Sequence, residues 1–264
     1  MELIMNNLNV IWFILLCVLF AGFFFLEGFD YGTGILLPVI GKTDVERRQM
    51  INALGPIWDG NEVWMITAGG ALFASFPHVY ATLFSGFYMA LFLMLAVLIM
   101  RGVAFEFRSK SANRTWRKVF DYCIFIGSIV PALLWGVTVG NLIQGTPIDE
   151  TMTYVGTFWD LLSPYTVLCG VAFVLVFTYH GGLFTSIKTA GPISERARAA
   201  SLVTGVPTAI GVIALIIASY VCTDLYSSIL ATIFCALAVV CFLISWAAAR
   251  TRNTKWGFVF SSLS

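Results

Sequence analysis

Four carboxylates stand inside stretches that are otherwise apolar. Glu27 and Asp30 belong to Glu27-Gly28-Phe29-Asp30-Tyr31-Gly32, and Asp59 and Glu62 to Trp58-Asp59-Gly60-Asn61-Glu62-Val63-Trp64. Neither stretch contains a Lys or Arg to neutralise them. An ionisable group at bilayer depth costs several kcal/mol, about 2.5–3.5 on insertion scales, so its first reading is functional. Each pair is three residues apart and therefore shares one face of a helix. Desolvation and mutual repulsion oppose ionisation of all four, which suits them to loading and releasing protons. Binding a cation, pairing with basic groups of a partner, or hydrogen bonding between helices as protonated acids are the competing uses.

Such acids need membrane helices to hold them, and the composition supplies these. Hydrophobic residues make up 59% of the 264 and charged residues only 11%, against roughly 25% charge in a soluble domain. Repeated apolar runs of about 20 residues each match one bilayer core. The fold class is therefore an all-α polytopic membrane protein, with spans expected at 9–40, 48–75, 79–104, 118–143, 161–187, 199–222 and 226–249. The fifteen Lys and Arg fall into alternate loops: Lys42, Arg47 and Arg48; then Arg101 to Lys118; then Lys188, Arg196 and Arg198; then Arg250, Arg252 and Lys255. By the positive-inside rule those loops are cytoplasmic and the N-terminus is outside. The first apolar run exceeds signal-peptide length and reads as a retained helix.

Composition also excludes some functions. Basic residues confined to short loops leave no extended patch for nucleic acid. Cys17, Cys123, Cys169, Cys222, Cys235 and Cys241 show no metal-ligand spacing and read as small buried hydrophobes, so no metal site is expected in this chain. Two histidines, His78 and His180, are too few for a chain that would ligate several haems itself.

Stepping along the spans places the acids. Asp30 is about ten residues from the cytoplasmic end of span one and Asp59 about eleven from the start of span two, which puts both roughly 15 Å deep. Antiparallel neighbours on a short loop pack together, so the four acids are expected to form one mid-membrane cluster without an in-chain cation. Gly28 and Gly32 would permit a close helix approach there. Arg101 and Asp121, at the cytoplasmic ends of spans three and four, read as a polar mouth below the cluster or as interface anchors. Trp58 and Trp64 lie deeper than an interfacial belt and are candidates for quinone or lipid contact. A weak parallel repeat relates Glu46–Gly55 to Glu195–Gly205 and matches Asp59 to Thr208. It divides the chain into a first four-helix unit, 1–145, carrying the acids, and a second unit, 146–264. The run from Trp256 to Ser264 spans only about 14 Å of helix. The sequence thus reads as seven spans plus the start of an eighth, C-terminally truncated.

These residues resemble a family. Gly28-Phe29-Asp30-Tyr31-Gly32-Thr33-Gly34, the Glu46-Arg47-Arg48 loop, Trp58–Trp64, Thr67–Ala74, Phe84–Tyr88, Arg101 with Phe105–Arg108, Asp121 and Gly140-Asn141 together are similar to subunit II of cytochrome bd quinol oxidase. The resemblance implies two four-helix bundles in the full-length family. It also implies a heterodimer with a subunit I that carries haem b and haem d, an optional small single-span subunit, quinol as the substrate of the complex, and the bacterial cytoplasmic (inner) membrane as its location. Asp59 would be the principal acid of a proton path, with Asp30, Arg101 and Asp121 as family-matching polar positions and Glu27 and Glu62 behind them. The rival functions are a proton-coupled transporter with its site at the acids, and a purely structural scaffold.

Overall fold

The computed structural model describes residues 7–264, and among them ten α-helices account for nearly all regular structure. In chain order they are α1 (Leu8–Ile40), α2 (Asp44–Leu54), α3 (Trp58–Ser75), α4 (Pro77–Gly86), α5 (Tyr88–Phe107), α6 (Arg114–Gln144), α7 (Pro164–Lys188), α8 (Pro192–Cys222), α9 (Ile229–Arg250) and α10 (Thr254–Ser262). Six of these segments are long and apolar enough to cross a membrane: α1, α5 with its short extension to Lys110, α6, α7, α8 and α9.

The sequence reading has seven such spans, and the difference lies in its second and third. Span two is not one helix. Pro56 has no N–H to offer the carbonyl of Asn52, and the chain leaves the helix at Gly55-Pro56-Ile57 before restarting at Trp58. What remains, α3, opens with Asp59, Asn61 and Glu62 and is not among the six. Span three is divided as well. Phe76, non-helical before Pro77, separates α3 from the ten-residue α4, and Phe87 separates α4 from α5. Residues before proline avoid the helical region for steric reasons.

Helix ends follow local chemistry. Thr43 and Glu46 form a reciprocal capping box at the start of α2. Asn113 caps α6 and Ser163 caps α7. At the far end of α6 the chain turns through Gly145 at φ +91°, a conformation open to glycine at little cost.

Helices α1 and α7 form the centre. Gly32 and Gly181 lie backbone to backbone, so a Cβ on either would strike the other helix. Thr33 Oγ1 contacts the Gly181 carbonyl at 3.3 Å and Thr185 Oγ1 at 3.0 Å across the same seam. Phe29 stacks on Phe184 with ring centroids 4.3 Å apart. The close approach expected of Gly28 and Gly32 is therefore made, but to α7 rather than to the helix bearing Asp59. Gly136 and Gly140 bring α6 onto α7 in the same way, against Cys169, Gly170 and Thr166.

The basic loops meet at one end of the bundle. Glu46 pairs with Arg196, Asp44 with Arg108 and Arg117, and Arg47 with Asp121, while Arg198 reaches the Ala249 carbonyl. The loops after α1, α5, α7 and α9 are thereby brought together, which is the grouping that the alternating charge pattern predicts.

Candidate functional site

The site is built around Arg101. Arg101 stands six residues before the end of α5, a little under two turns, and its guanidinium points into the bundle. Its side chain is 0% exposed. Gly127 on α6 lies directly against the Arg101 backbone, where a side chain would collide. Nη2 donates to Asp30 Oδ1 in a very close ion pair, Nη1 donates to Glu62 Oε1 at 3.1 Å, and Nη1 lies 4.0 Å from Glu27 Oε2. The guanidinium also rests 5.0 Å from the ring centroids of both Tyr31 and Phe105, a cation–π geometry that suits a planar desolvated cation.

The expectation of acids without an in-chain cation is thus corrected. Arg101, read from the sequence as lying below the cluster, is its central member. The apolar run alone, which places the end of this span at 104, could not show that α5 continues to Phe107.

Asp59 is the second correction. Because α3 begins at Trp58, Asp59 sits in a first helical turn rather than about eleven residues inside a span, and it is exposed. A carboxylate there is favoured by the helix dipole. Glu62, one turn on, is partly exposed, with 19% of its side chain accessible, while Glu27 and Asp30 are fully buried. The four acids differ in exposure, although Glu27, Asp30 and Glu62 all gather on Arg101. They form a graded series from surface to interior, with Glu62 the joint between Asp59 and the Arg101 group.

Asn61 was not singled out by sequence, and it is part of the site. It is buried, and its Nδ2 donates to Asp30 Oδ2 at 3.0 Å. Spacing carries its signal: Asn61 lies beside two acids in the same turn of α3. Both oxygens of Glu27, the Tyr31 hydroxyl and Arg101 Nε are buried without a hydrogen-bond partner among the described residues. Three carboxyls face one guanidinium. One carboxylate matches its charge, and the other two are neutral only when they carry protons, so the group can store protons in an environment that disfavours net charge.

Asp121 belongs to a separate cluster at the basic end. Its carboxylate accepts from Arg108 Nε at 2.5 Å and from Arg47 Nη1 at 2.7 Å. Arg108 is 1% exposed and also donates to Asp44 at 3.0 Å. Of the tryptophans, Trp58 stacks on Phe105 with centroids 5.3 Å apart, extending the Tyr31–Arg101–Phe105 stack toward the surface. Trp64 lies against Gly22 on α1 and is 37% exposed. His180 is buried, with Nδ1 2.6 Å from Ser261 Oγ and its ring stacked on Phe258 at 4.6 Å. His78 is exposed in the first turn of α4.

A bundle of long apolar helices with a buried arginine–carboxylate group defines a polytopic membrane protein that handles charge within its helices. Comparison with known proteins narrows this. A family model described as cytochrome bd terminal oxidase subunit II matches residues 8–264, and the chain belongs to that family. It is 49% identical over 207 residues to the probable cytochrome oxidase subunit 2 of Haemophilus influenzae, covering 77% of this chain and 55% of that one. It is 40% identical over 257 residues to cytochrome bd ubiquinol oxidase subunit 2 of Bacillus subtilis, covering 96% and 76%. With cytochrome bd-I ubiquinol oxidase subunit 2 of Escherichia coli K12 it shares 47% over 205 residues, covering 76% and 54%. The chain thus spans about half the length of the Haemophilus and Escherichia relatives. In fold it is similar to a chain of the bd oxidase from Geobacillus thermodenitrificans, with a TM-score of 0.79 at 16% identity over 97% of this chain and 81% of that one.

Proposed function

We propose that this chain is the non-haem membrane subunit of a cytochrome bd-type quinol oxidase, and that it feeds protons toward the site of oxygen reduction. In this reading haem b and haem d belong to a partner subunit I, quinol is oxidised in the complex, and a small single-span subunit is an optional third member. The basic loops face the cytoplasm of the bacterial inner membrane and the N-terminus faces outward. Residues 1–145 carry the working acids, and 146–264 supply α7, which packs against α1 beside α6 and α3. The haems supply the electrons and the oxygen-binding iron. This chain's residues hold and move protons.

The observation that carries the proposal is the graded run of acids in a chain of this family. Exposed Asp59 collects a proton, and Glu62, three residues on and on the same helix face, receives it. Glu62 bonds Arg101, which in turn holds Asp30 and borders Glu27. A proton arriving at Glu62 weakens its hold on the guanidinium, and the charge balance of the group then favours Asp30 as the remaining counterion. Asn61 keeps Asp30 oriented throughout.

The test of the assignment is to purify the native complex and record its visible spectrum together with quinol-driven oxygen uptake. Haem absorbance, a haem-bearing partner and uptake are expected. A colourless protein without a partner would instead favour a proton-coupled transporter. Loss of haem or assembly in every acid variant, with no change in turnover per haem, would favour the scaffold.

A further inference from the structure

The charged face of α2 takes no part in the Arg101 group, yet it is densely braced. Asp44 Oδ1 accepts from Arg108 Nη2 at 3.0 Å and Oδ2 from Arg117 Nη1 at 2.7 Å. Arg47 donates from Nη1 to Asp121 at 2.7 Å and from Nε to the Gly41 carbonyl at 2.8 Å. Glu46 accepts from Arg196 on α8 and from the Lys42 and Thr43 amides. On the opposite side Met50 and Leu54 are buried in the core with Leu37, Ile40 and Ile193. A helix of 11 residues is marginal by itself in water, so these contacts decide where α2 lies.

Only Gly55, Pro56 and Ile57 separate α2 from Trp58 and Asp59. The other constraint on that point is the Trp58 ring, seated on Phe105 and facing Gly102 of α5. Asp59 is therefore fixed from two directions: by Trp58 on one side and, through three residues, by the seat of α2 on the other. Cross-bracing would serve stability alone if α2 ended in a long loop, but it leads almost at once into the exposed acid.

We infer that α2 is a positioning strap for proton intake, in which Asp44, Glu46 and Arg47 hold Asp59 in line with Glu62. The inference rests on the proton route proposed above. These three are positioning residues: they touch neither the Arg101 group nor any reacting atom.

The experiment uses the whole complex, with Asp44→Asn and Glu46→Gln combined and Asp44→Glu as the conservative variant. Two readouts are taken at unchanged haem absorbance: hydrogen exchange of the amides at 55–61, and the pH profile of oxygen uptake. Released bracing should speed exchange there by about tenfold, because local opening is governed by such local contacts. Oxygen uptake should fall by about tenfold at neutral pH, as misplacement by about an ångström costs up to a hundredfold, with the alkaline limb moving to lower pH because proton supply becomes limiting. Asp44→Glu should restore both. Should the double variant lose haem, Arg117→Gln, which frees one arm of Asp44, carries the same two readouts. Unchanged exchange at 55–61, or an unchanged pH profile, overturns the strap. Parent-like turnover in Asp59→Asn overturns instead the proton route on which it depends, so the two failures are distinguishable.

Discussion

At the residue scale, Arg101 decides whether the buried acids can coexist. It faces Asp30, Glu62 and Glu27 and is enclosed by Tyr31 and Phe105. Removing one member of a buried charged group leaves its partners uncompensated, at a cost of about 3–5 kcal/mol. Arg101→Gln is therefore expected to lower the thermal stability of the complex sharply, and Arg101→Lys to restore it only in part. A point-charge ammonium cannot reach two carboxylates while lying between two rings. Thermal unfolding of the purified complex checks this, and equal stability of parent and Arg101→Gln would contradict it. Asn61→Ala leaves buried Asp30 Oδ2 without its amide donor, which should cost about 1–3 kcal/mol, with Asn61→Asp worse because it adds a fourth acid. Glu27 and Asp30 were legible from sequence as expensive acids on one helix face. Their cation was not, because Arg101 lies beyond a long apolar run whose end could be placed only to within several residues.

Elements explain why Asp59 is exposed. Pro56 ends α2 and Trp58 restarts the helix, so the acid stands in a first turn instead of the middle of one continuous helix. The Gly55-Pro56 pair was visible in the sequence, but prolines also stand inside α1, α6 and α8 without ending them. Tertiary packing chooses between those outcomes. The repeat-matched Thr208 makes the contrast plain: it lies within continuous α8, one residue past Pro207, buried and bonded to the Leu175 carbonyl at 3.2 Å. Helix existence, the grouping of basic loops and the small-residue seams were legible because composition and period set them. Which helix a glycine face meets was not, since Gly32 could serve α3 or α7 equally well on spacing alone. Gly181→Leu should therefore disrupt the α1–α7 seam and assembly, whereas Gly69→Leu, with open space around its Cα, should leave folding of this chain intact. Detergent-solubilised expression profiles separate the two. The capped α2 also carries a pH signature. Glu46 lies below its ordinary value of 4.5, first because the Thr43 amide donates to it, and also because Arg196 and the Lys42 amide hold its charged form. A depressed carboxylate contributes stability that is complete above its unfolded value and is lost as the pH falls through the folded one. The stability gap between parent and Glu46→Gln should thus be constant above about pH 5 and shrink below it. A gap that grows toward acid pH would contradict that sign.

For the whole molecule, the proposed route has two ends. In the proposed route the basic loops and the braced α2 lie on the side from which protons are taken, and the buried Arg101 group is where they are held. The central claim is that protons enter through Asp59 and pass by way of Glu62. Its most direct measurement is quinol-driven oxygen uptake, normalised to haem content, in complexes carrying Asp59→Asn or Glu62→Gln. Asp59→Asn is expected to retain its haems and lose roughly a hundredfold in turnover, the scale of a removed proton-transfer group, with Glu62→Gln impaired in the same sense. Turnover close to the parent in Asp59→Asn, with haem content unchanged, would contradict it.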